Sequence, residues 1–336
     1  MTTLQTTPVD GPSAGRRRRP HVPSRMLPLF ATFAVFVLTF GFGSVRYDGF
    51  ASGQVVANLL IDNAFLIVLA VGMTFVILSG GIDLSVGSVV ALSTMITASG
   101  LQDGWSAPLV MLVVLVLGTG FGLLMGWVIH YFDIQPFIVT LAGMFLARGL
   151  CFVVSVESIP IKNETFRSIA TSVITLPGGV VITYAVLVAV AVLLVGMYVL
   201  HLTRFGRTVY AVDGSESSAM LMGLATGRTK IGVYGLSGFC SALAGLLFSF
   251  YMLSGYSLHA VGMELDAIAA VVIGGTLLSG GVGYVFGSLV GVLVLGTIQT
   301  MISFQGTLSS WWTKIVIGLL LLAFVVLQRM MLRRQP

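Results

Sequence analysis

The distribution of apolar residues constrains this chain more than any other feature. Apolar runs of about 17–25 residues, the length that a helix needs to cross a bilayer, recur along most of it. Membrane barrel strands would be shorter and would alternate in polarity, so the runs indicate helices. Only 9% of the 336 residues are charged, which excludes the surface of an ordinary soluble domain. The sequence therefore predicts an all-α, polytopic membrane bundle.

Ten apolar segments are predicted to cross or enter the membrane, and together they form a single transmembrane domain over residues 27–328. Two of them, 84–99 and 265–278, are near the lower limit for crossing, so either could be a half-helix or a re-entrant element. The ten segments are approximately 27–43, 55–78, 84–99, 107–130, 136–154, 178–202, 231–253, 265–278, 284–304 and 311–328.

Positive charge predicts the orientation of the chain, because Lys and Arg accumulate in cytoplasmic loops. The richest basic clusters lie in the polar stretch 1–26, in the loop 203–230 and in the ending 329–336. Even numbers of segments separate these clusters, so all three are predicted to be cytoplasmic, with 1–26 as a disordered tail. The loop 155–177 has no positive bias and is predicted to lie outside.

An internal repeat is visible at an offset of 200 residues. Leu78–Val90 aligns with Leu278–Val290 without a gap, and seven of the thirteen positions are identical. Transporters are often built from repeated halves, with glycine-interrupted segments near the substrate site. The span count predicts parallel copies, whereas an inverted repeat would require one short segment to be re-entrant.

Small residues also recur every four positions, which places them on one helix face. Such faces allow two membrane helices to approach closely, although a pathway lining would give the same pattern. The three series are Gly118, Gly122 and Gly126; Ser237, Ser241, Gly245 and Ser249; and Gly283, Gly287 and Gly291.

Polar side chains inside the apolar segments are candidates for a solute path, because such groups usually face a cavity or a partner. Gln54, Asn58 and Asp62 form a stripe spaced by four, which either a wet vestibule or an interhelical hydrogen-bonded lock would explain. Asp83 stands in the first glycine-rich break, where it either binds a hydroxylated solute or caps the next helix. The predicted path residues are Asn58, Asp62, Asn63, Asp83, Ser85 and Gln299.

The cytoplasmic loop contains the signals of a short helix. Asp213 and Glu216 have the spacing of a capping box, and Gly223 suits the position just after a helix. An exposed helix of about two turns between basic residues is suited to docking a partner, although a surface loop that only orients the spans is the alternative.

Several kinds of chemistry are excluded. The chain has no Gly-Lys dipeptide and therefore no phosphate-binding loop, so it is not predicted to hydrolyse ATP or to act as an enzyme. Its histidines and its two cysteines are isolated, so no metal site or cofactor is predicted. The basic residues flank apolar spans, which also argues against a nucleic-acid partner.

Three stretches resemble a known family. Gly72–Ser88, Thr203–Ala211 and Val272–Gly283 are similar to the signature segments of the sugar-type ABC importer permeases, the ribose permease family. The ending Gly306–Ile315 resembles the galactofuranose permease branch more than the ribose permeases. The resemblance extends from about residue 45 to residue 330.

This resemblance implies a multi-pass subunit of the bacterial inner membrane that forms the path for a sugar, galactofuranose first. A separate ATPase would power it, with a second permease, homologous or identical, and a periplasmic sugar-binding protein as further partners. The middle cytoplasmic segment would then be the coupling helix to the ATPase. The residues assigned to coupling are Asp213, Gly214, Ser215, Glu216 and Gly223.

Two features depart from the family pattern. Members often have Gly-Gly-Asn where this chain has Asp213-Gly214-Ser215, and the arginine-rich tail is not part of the pattern. An alternative within the class is import of another sugar such as ribose. An alternative from another class is a secondary transporter that uses Asp62, Asp83 or Glu264 for ion coupling.

Overall fold

The computed structural model describes residues 27–214, 216–307 and 311–332. The predicted tail 1–26 and the last residues of the predicted tail 329–336 lie outside this part of the chain. Within it, the helices are α1 (Leu27–Arg46), α2 (Gly53–Asp62), α3 (Ala64–Leu78), α4 (Val86–Gln102), α5 (Ala107–Tyr131), α6 (Pro136–Val154), α7 (Glu164–Thr171), α8 (Tyr184–Leu202), α9 (Arg204–Gly214), α10 (Glu216–Leu221), α11 (Thr226–Met252), α12 (Met263–Ile273), α13 (Val285–Gln305) and α14 (Trp311–Leu332).

Seven of the described helices are long and apolar enough to cross a membrane: α1, α5, α6, α8, α11, α13 and α14. The pair α2–α3 is an eighth span if it counts as one. By contrast, α4 has 17 residues and α12 only 11. At 1.5 Å per residue α12 reaches roughly 16 Å, about half of a hydrocarbon core. The helical bundle is thus shown, whereas the predicted count of about ten spans is not.

Helix α3 lies at the centre of the bundle. Fourteen of its 15 residues are buried, and it packs against α8, α11, α12 and α13. A helix that is apolar on every side is stable only where other helices surround it. Gly72 permits the closest approach, since a Cβ there would lie 2.8 Å from that of Cys240 on α11. Helix α2 joins α3 at an angle of 55°.

The first small-residue series is a helix-packing seam. A Cβ at Gly118 would collide with Ala242, and one at Gly122 would collide with the backbone oxygen of Tyr234. Helices α5 and α11 therefore touch through their backbones, as small residues at four-residue spacing allow. The structure shows packing rather than a pathway lining at these positions.

Two short antiparallel pairs of strands accompany the helices. β1 (Ile159–Pro160) pairs with β4 (Ser254–Gly255), and β2 (Val173–Thr175) pairs with β3 (Val181–Thr183). The sequence analysis missed these pairs and helix α7. The predicted span 178–202 is also too long at its start. Gly178 and Gly179 have positive φ and form the turn that leads into β3, so helix α8 begins only at Tyr184.

Candidate functional site

A polar cleft of about 450 Å³ opens between the α2–α3 bend and the second half of α13. Polar side chains are rare in the spans, yet several of them converge here, which is typical of a solute-binding surface. Four of the six predicted path residues line it: Asn58, Asp62, Asn63 and Gln299. The side chains of Thr300, Ser303 and Tyr251 complete the polar part of its wall.

The residues of the polar stripe on α2 make different contacts. Gln54 joins α2 to β3. Its Nε2 donates to Asn58 Oδ1 at 2.8 Å, and its Oε1 accepts from Val181 N on β3 at 2.9 Å. Asn58 and Asp62 are exposed and line the cleft. Tyr251 reaches across from α11 and donates to Asp62 Oδ1 at 3.3 Å. Gln54 and Asn58 thus form a hydrogen-bonded contact that reaches β3, and Asn58 and Asp62 face the cleft. The wet vestibule stays a prediction.

The cleft continues along α13 toward α14. Gln299 and Ser303 also line a neighbouring cavity of about 390 Å³, together with Trp311 and Lys314. Lys314 Nζ forms an ion pair with Asp266 of α12 at 2.6 Å. The extended surface thus presents amides, hydroxyls, a carboxylate and an indole ring, which are the groups that hydroxylated solutes bind.

The other two predicted path residues lie elsewhere. Asp83 is only 1% exposed, and the 15 residues of α3, roughly 22 Å of helix, separate its break from the cleft. Asp83 Oδ1 accepts from Ser85 N at 2.9 Å and from Ser85 Oγ at 2.6 Å, and Oδ2 accepts from Ser237 Oγ at 2.7 Å. The predicted cap is wrong, because Ser85 is the N-cap residue of α4 and no side chain of the described residues bonds the first N–H groups of that helix. The carboxylate instead holds Ser85 and ties the start of α4 to α11.

The two copies of the internal repeat touch each other at their glycine breaks. The N–H of Gly281 donates to the backbone oxygen of Leu78 at 3.2 Å, so the second break packs directly on the first. One turn away, the hydroxyls of Thr74 on α3 and Ser288 on α13 lie 2.7 Å apart. A displacement of the second break would therefore alter both of these contacts with α3.

A further cavity, of about 410 Å³, lies beside the second break, and sequence reasoning missed it. Its walls are His201 from the end of α8, Tyr210 from α9 and the segment 281–284. Tyr210 Oη donates to the backbone oxygen of Gly283 at 2.7 Å. Burial, and then the neighbouring Tyr284, raise the pKa of Tyr210, so its hydroxyl stays a proton donor.

The segment 203–230, predicted to be cytoplasmic, differs from its prediction at one end. Helix α9 continues through Asp213 and Gly214, so Asp213 does not begin a helix, and α10 starts instead at Glu216. The capping-box pattern was overridden because the buried residues Val209 and Val212 favour a longer α9. Ser215 and the side chains of Asp213 and Glu216 lie outside the described residues.

The other end of this segment has the predicted geometry. Gly223 has a φ of +78°, its N–H donates to Met220 O at 2.9 Å, and Leu224 N donates to Ala219 O at 3.1 Å. This pattern is the Schellman motif, which ends helices at a glycine. Apolar side chains follow one another on the exposed surface here, with Leu221 at 90% exposure between the exposed Met220 and Met222.

Comparison with known proteins identifies relatives over most of the chain. Residues 55–325 match the family described as "Branched-chain amino acid transport system / permease component". The chain is 52% identical over 306 residues to the inner membrane ABC transporter permease protein YjfF of Escherichia coli, covering 91% of this chain and 92% of that protein. No solved structure matches.

Two other relatives carry the name of a sugar. The fructose import permease protein FruG of Bifidobacterium longum is 41% identical over 335 residues, which cover 98% of this chain and 97% of the relative. The ribose import permease protein RbsC of Haemophilus influenzae is 36% identical over 301 residues, which cover 88% and 91%.

Proposed function

The chain belongs to this family of ABC importer permeases, and from that premise we propose that it carries a monosaccharide through the inner membrane, galactofuranose being the first candidate. Relatives named for the import of fructose and ribose support a sugar as the substrate class. The ending Gly306–Ile315, which resembles the galactofuranose branch, supports the choice among sugars. Ribose and fructose are the competing substrates.

The polar cleft is the proposed outer part of the sugar path. Asn58 and Asp62 are exposed on α2, which forms one candidate span together with α3. Lipid could not solvate a carboxylate there. A second permease, identical or homologous, would cover this face and leave a wet path between the two subunits. A sugar needs only brief, weak hydrogen bonds there, because tight binding would slow its release. Asp83 and Ser85 would mark the inner end of the path at the first glycine break.

The loop that carries α9 and α10 is the proposed contact with the ATPase. Its exposed apolar residues Met220, Leu221 and Met222 are suited to a groove on a partner protein. The basic residues around this loop support its cytoplasmic placement, and with it cytoplasmic termini. The periplasmic sugar-binding protein would dock on the opposite side.

Uptake into reconstituted vesicles tests the proposed function. The chain is purified with the ATPase, the second permease and the binding protein that co-isolate with it, and labelled galactofuranose, ribose and fructose are offered in turn. We expect uptake that requires ATP and the binding protein, fastest with galactofuranose. Uptake by the chain alone, driven by an ion gradient without ATP, would overturn the proposal in favour of secondary transport.

The path assignment is tested by Asp62→Asn and Asn58→Leu. Each change is expected to lower transport several-fold while the complex still assembles, because each removes a polar group from the cleft wall. Val56→Ala on the same helix is the matched control, since Val56 does not line the cleft. Wild-type transport in both cleft variants would remove α2 from the path.

The docking assignment is tested by deletion of residues 213–223, or by replacement of Glu216 and Gly223. We expect an inserted protein that no longer supports sugar-stimulated ATP hydrolysis. A milder variant, Leu221→Glu, places a charge on the apolar surface, and Ala225→Glu adds the same charge at another exposed position as a control. ATPase assembly that survives the deletion would show that the ATPase docks elsewhere.

A further inference from the structure

One side chain links the cytoplasmic segment to the transmembrane core. Tyr210 projects from α9, and its hydroxyl donates to the backbone oxygen of Gly283 at 2.7 Å. Gly283 belongs to the second glycine break, just before α13 begins at Val285. The contact therefore joins the loop that carries the exposed apolar residues to the start of a helix that lines the polar cleft at its other end.

The position of Tyr210 is fixed by its aromatic neighbours. The ring of His201, at the end of α8, lies nearly parallel to it with centroids 6.4 Å apart, and Tyr284 packs on the same imidazole at 5.7 Å. Aromatic packing of this kind holds a ring in place without depending on the hydroxyl. The hydroxyl is thus free to serve as the tie to Gly283.

The second break adjoins a cavity and is hydrogen-bonded to α3. The cavity of about 410 Å³ adjoins it, and Leu278 within the break is 37% exposed. Gly280 and Gly281, both with positive φ, have no side chain whose packing would fix the backbone at those two positions. From this break, the Gly281-to-Leu78 hydrogen bond passes any displacement to the buried helix α3.

We propose that Tyr210 is a positioning residue that couples movement of the α9–α10 loop to the second glycine break, and through it to α3 and the path. The proposal rests on the proposed function, because it assigns the driving movement to the docked ATPase. A conformational change is transmitted only through contacts that differ between the states. In this proposal the bond from Tyr210 to Gly283 is one of those contacts.

The test is the number of sugar molecules imported per ATP hydrolysed, measured in vesicles that contain the complete transporter. Tyr210→Phe keeps the ring and removes only the bond to Gly283, so we expect the ratio to fall about five-fold, as the loss of one buried hydrogen bond implies. Hydrolysis should stay within about two-fold of wild type. Tyr284→Phe removes a hydroxyl from the same aromatic cluster and should leave the ratio unchanged.

The outcomes separate the two proposals. An unchanged ratio in Tyr210→Phe overturns the coupling role, including the case in which less complex assembles and both rates fall together. An equal loss of ratio in Tyr284→Phe also overturns it, because the effect would then belong to the cluster and not to the bond. Wild-type vesicles without ATP-driven uptake would overturn the proposed function and the coupling role with it.

Discussion

The two glycine breaks begin with the same residues and end differently. Leu78-Ser79-Gly80-Gly81 and Leu278-Ser279-Gly280-Gly281 are identical, and Gly80 and Gly280 adopt positive φ of 78° and 87°. The next positions diverge, with Asp83, Leu84 and Ser85 in the first copy against Gly283, Tyr284 and Val285 in the second. The shared residues begin the same turn, but Gly281 has positive φ whereas Gly81 does not. The differing residues decide what holds each break.

The first break is held by the buried carboxylate of Asp83. Asp83 satisfies two donors of Ser85 and one of Ser237, all within the buried core. The second break has no carboxylate. Tyr284 is the N-cap residue of α13, and its side chain makes no hydrogen bond to the first turn of that helix. The backbone oxygen of Gly283 accepts from Tyr210 of the cytoplasmic segment instead. The first copy is thus held within the core, whereas the second is bonded to a side chain of α9.

The largest expected effect comes from breaking the anchor. Asp83→Ala leaves Ser85 and Ser237 without their buried acceptor, at a cost of roughly 1–3 kcal/mol for each orphaned group. Transport should fall more severely than in Asp62→Asn or Asn58→Leu, because the start of α4 also loses its tie to Ser237 of α11. Asp83→Asn, which keeps an acceptor for Ser85, should lose less. Wild-type transport in Asp83→Ala at normal protein levels would contradict the anchoring role and the path assignment.

A matched pair on α11 sharpens the account of the first break. Ser237→Ala removes a hydrogen bond to the buried carboxylate and should lower the free energy of unfolding by about 1.5–3 kcal/mol. Tyr234→Phe, one turn earlier, removes a buried hydroxyl that has no partner among the described residues, so stability should not fall. Thermal unfolding of the two purified variants measures both effects. Equal losses of stability would contradict the anchoring role of Asp83.

A smaller effect tests the shared turn. Gly80→Ala and Gly280→Ala each force a side chain into positive φ, which costs roughly 1–2 kcal/mol. The two losses in thermal stability should be similar, because Gly80 and Gly280 have nearly the same φ. Gly120→Ala on α5 is the control, since a Cβ there meets no atom within 4 Å. A loss confined to one copy would contradict a common cost of positive φ at Gly80 and Gly280.

Much of the fold followed from local patterns in the sequence. The apolar runs predicted the positions of the long helices. Glycines at four-residue spacing indicated that another helix can approach α5 closely, although not that this helix is α11. The shortness of α12 was among the predicted alternatives for the segment 265–278, and α12 has 11 residues. The 55° bend between α2 and α3 was not predicted, because hydropathy does not register where a helix breaks. The capping box at Asp213 failed because burial of α9 outweighed a local signal.

The candidate site was predictable only in part. Asn58, Asp62 and Asn63 stood out as polar residues in one apolar span, and the structure places Gln299 of α13 beside them in the cleft. Tyr210 carried no such signal, because a tyrosine in a basic loop is ordinary and its partner is a backbone oxygen 73 residues away. Contacts of that kind depend on tertiary packing, which residue types and spacing do not encode.

The central claim, that one glycine break is anchored while the other follows the cytoplasmic segment, is tested most directly by amide hydrogen exchange. The complete transporter in lipid nanodiscs is compared without nucleotide and with ATP held by a hydrolysis-deficient ATPase. We predict that exchange changes in the segment 277–285 and stays constant in the segment 79–86, where Asp83 holds the backbone. Equal changes in both segments, or a change in the first alone, would contradict the account.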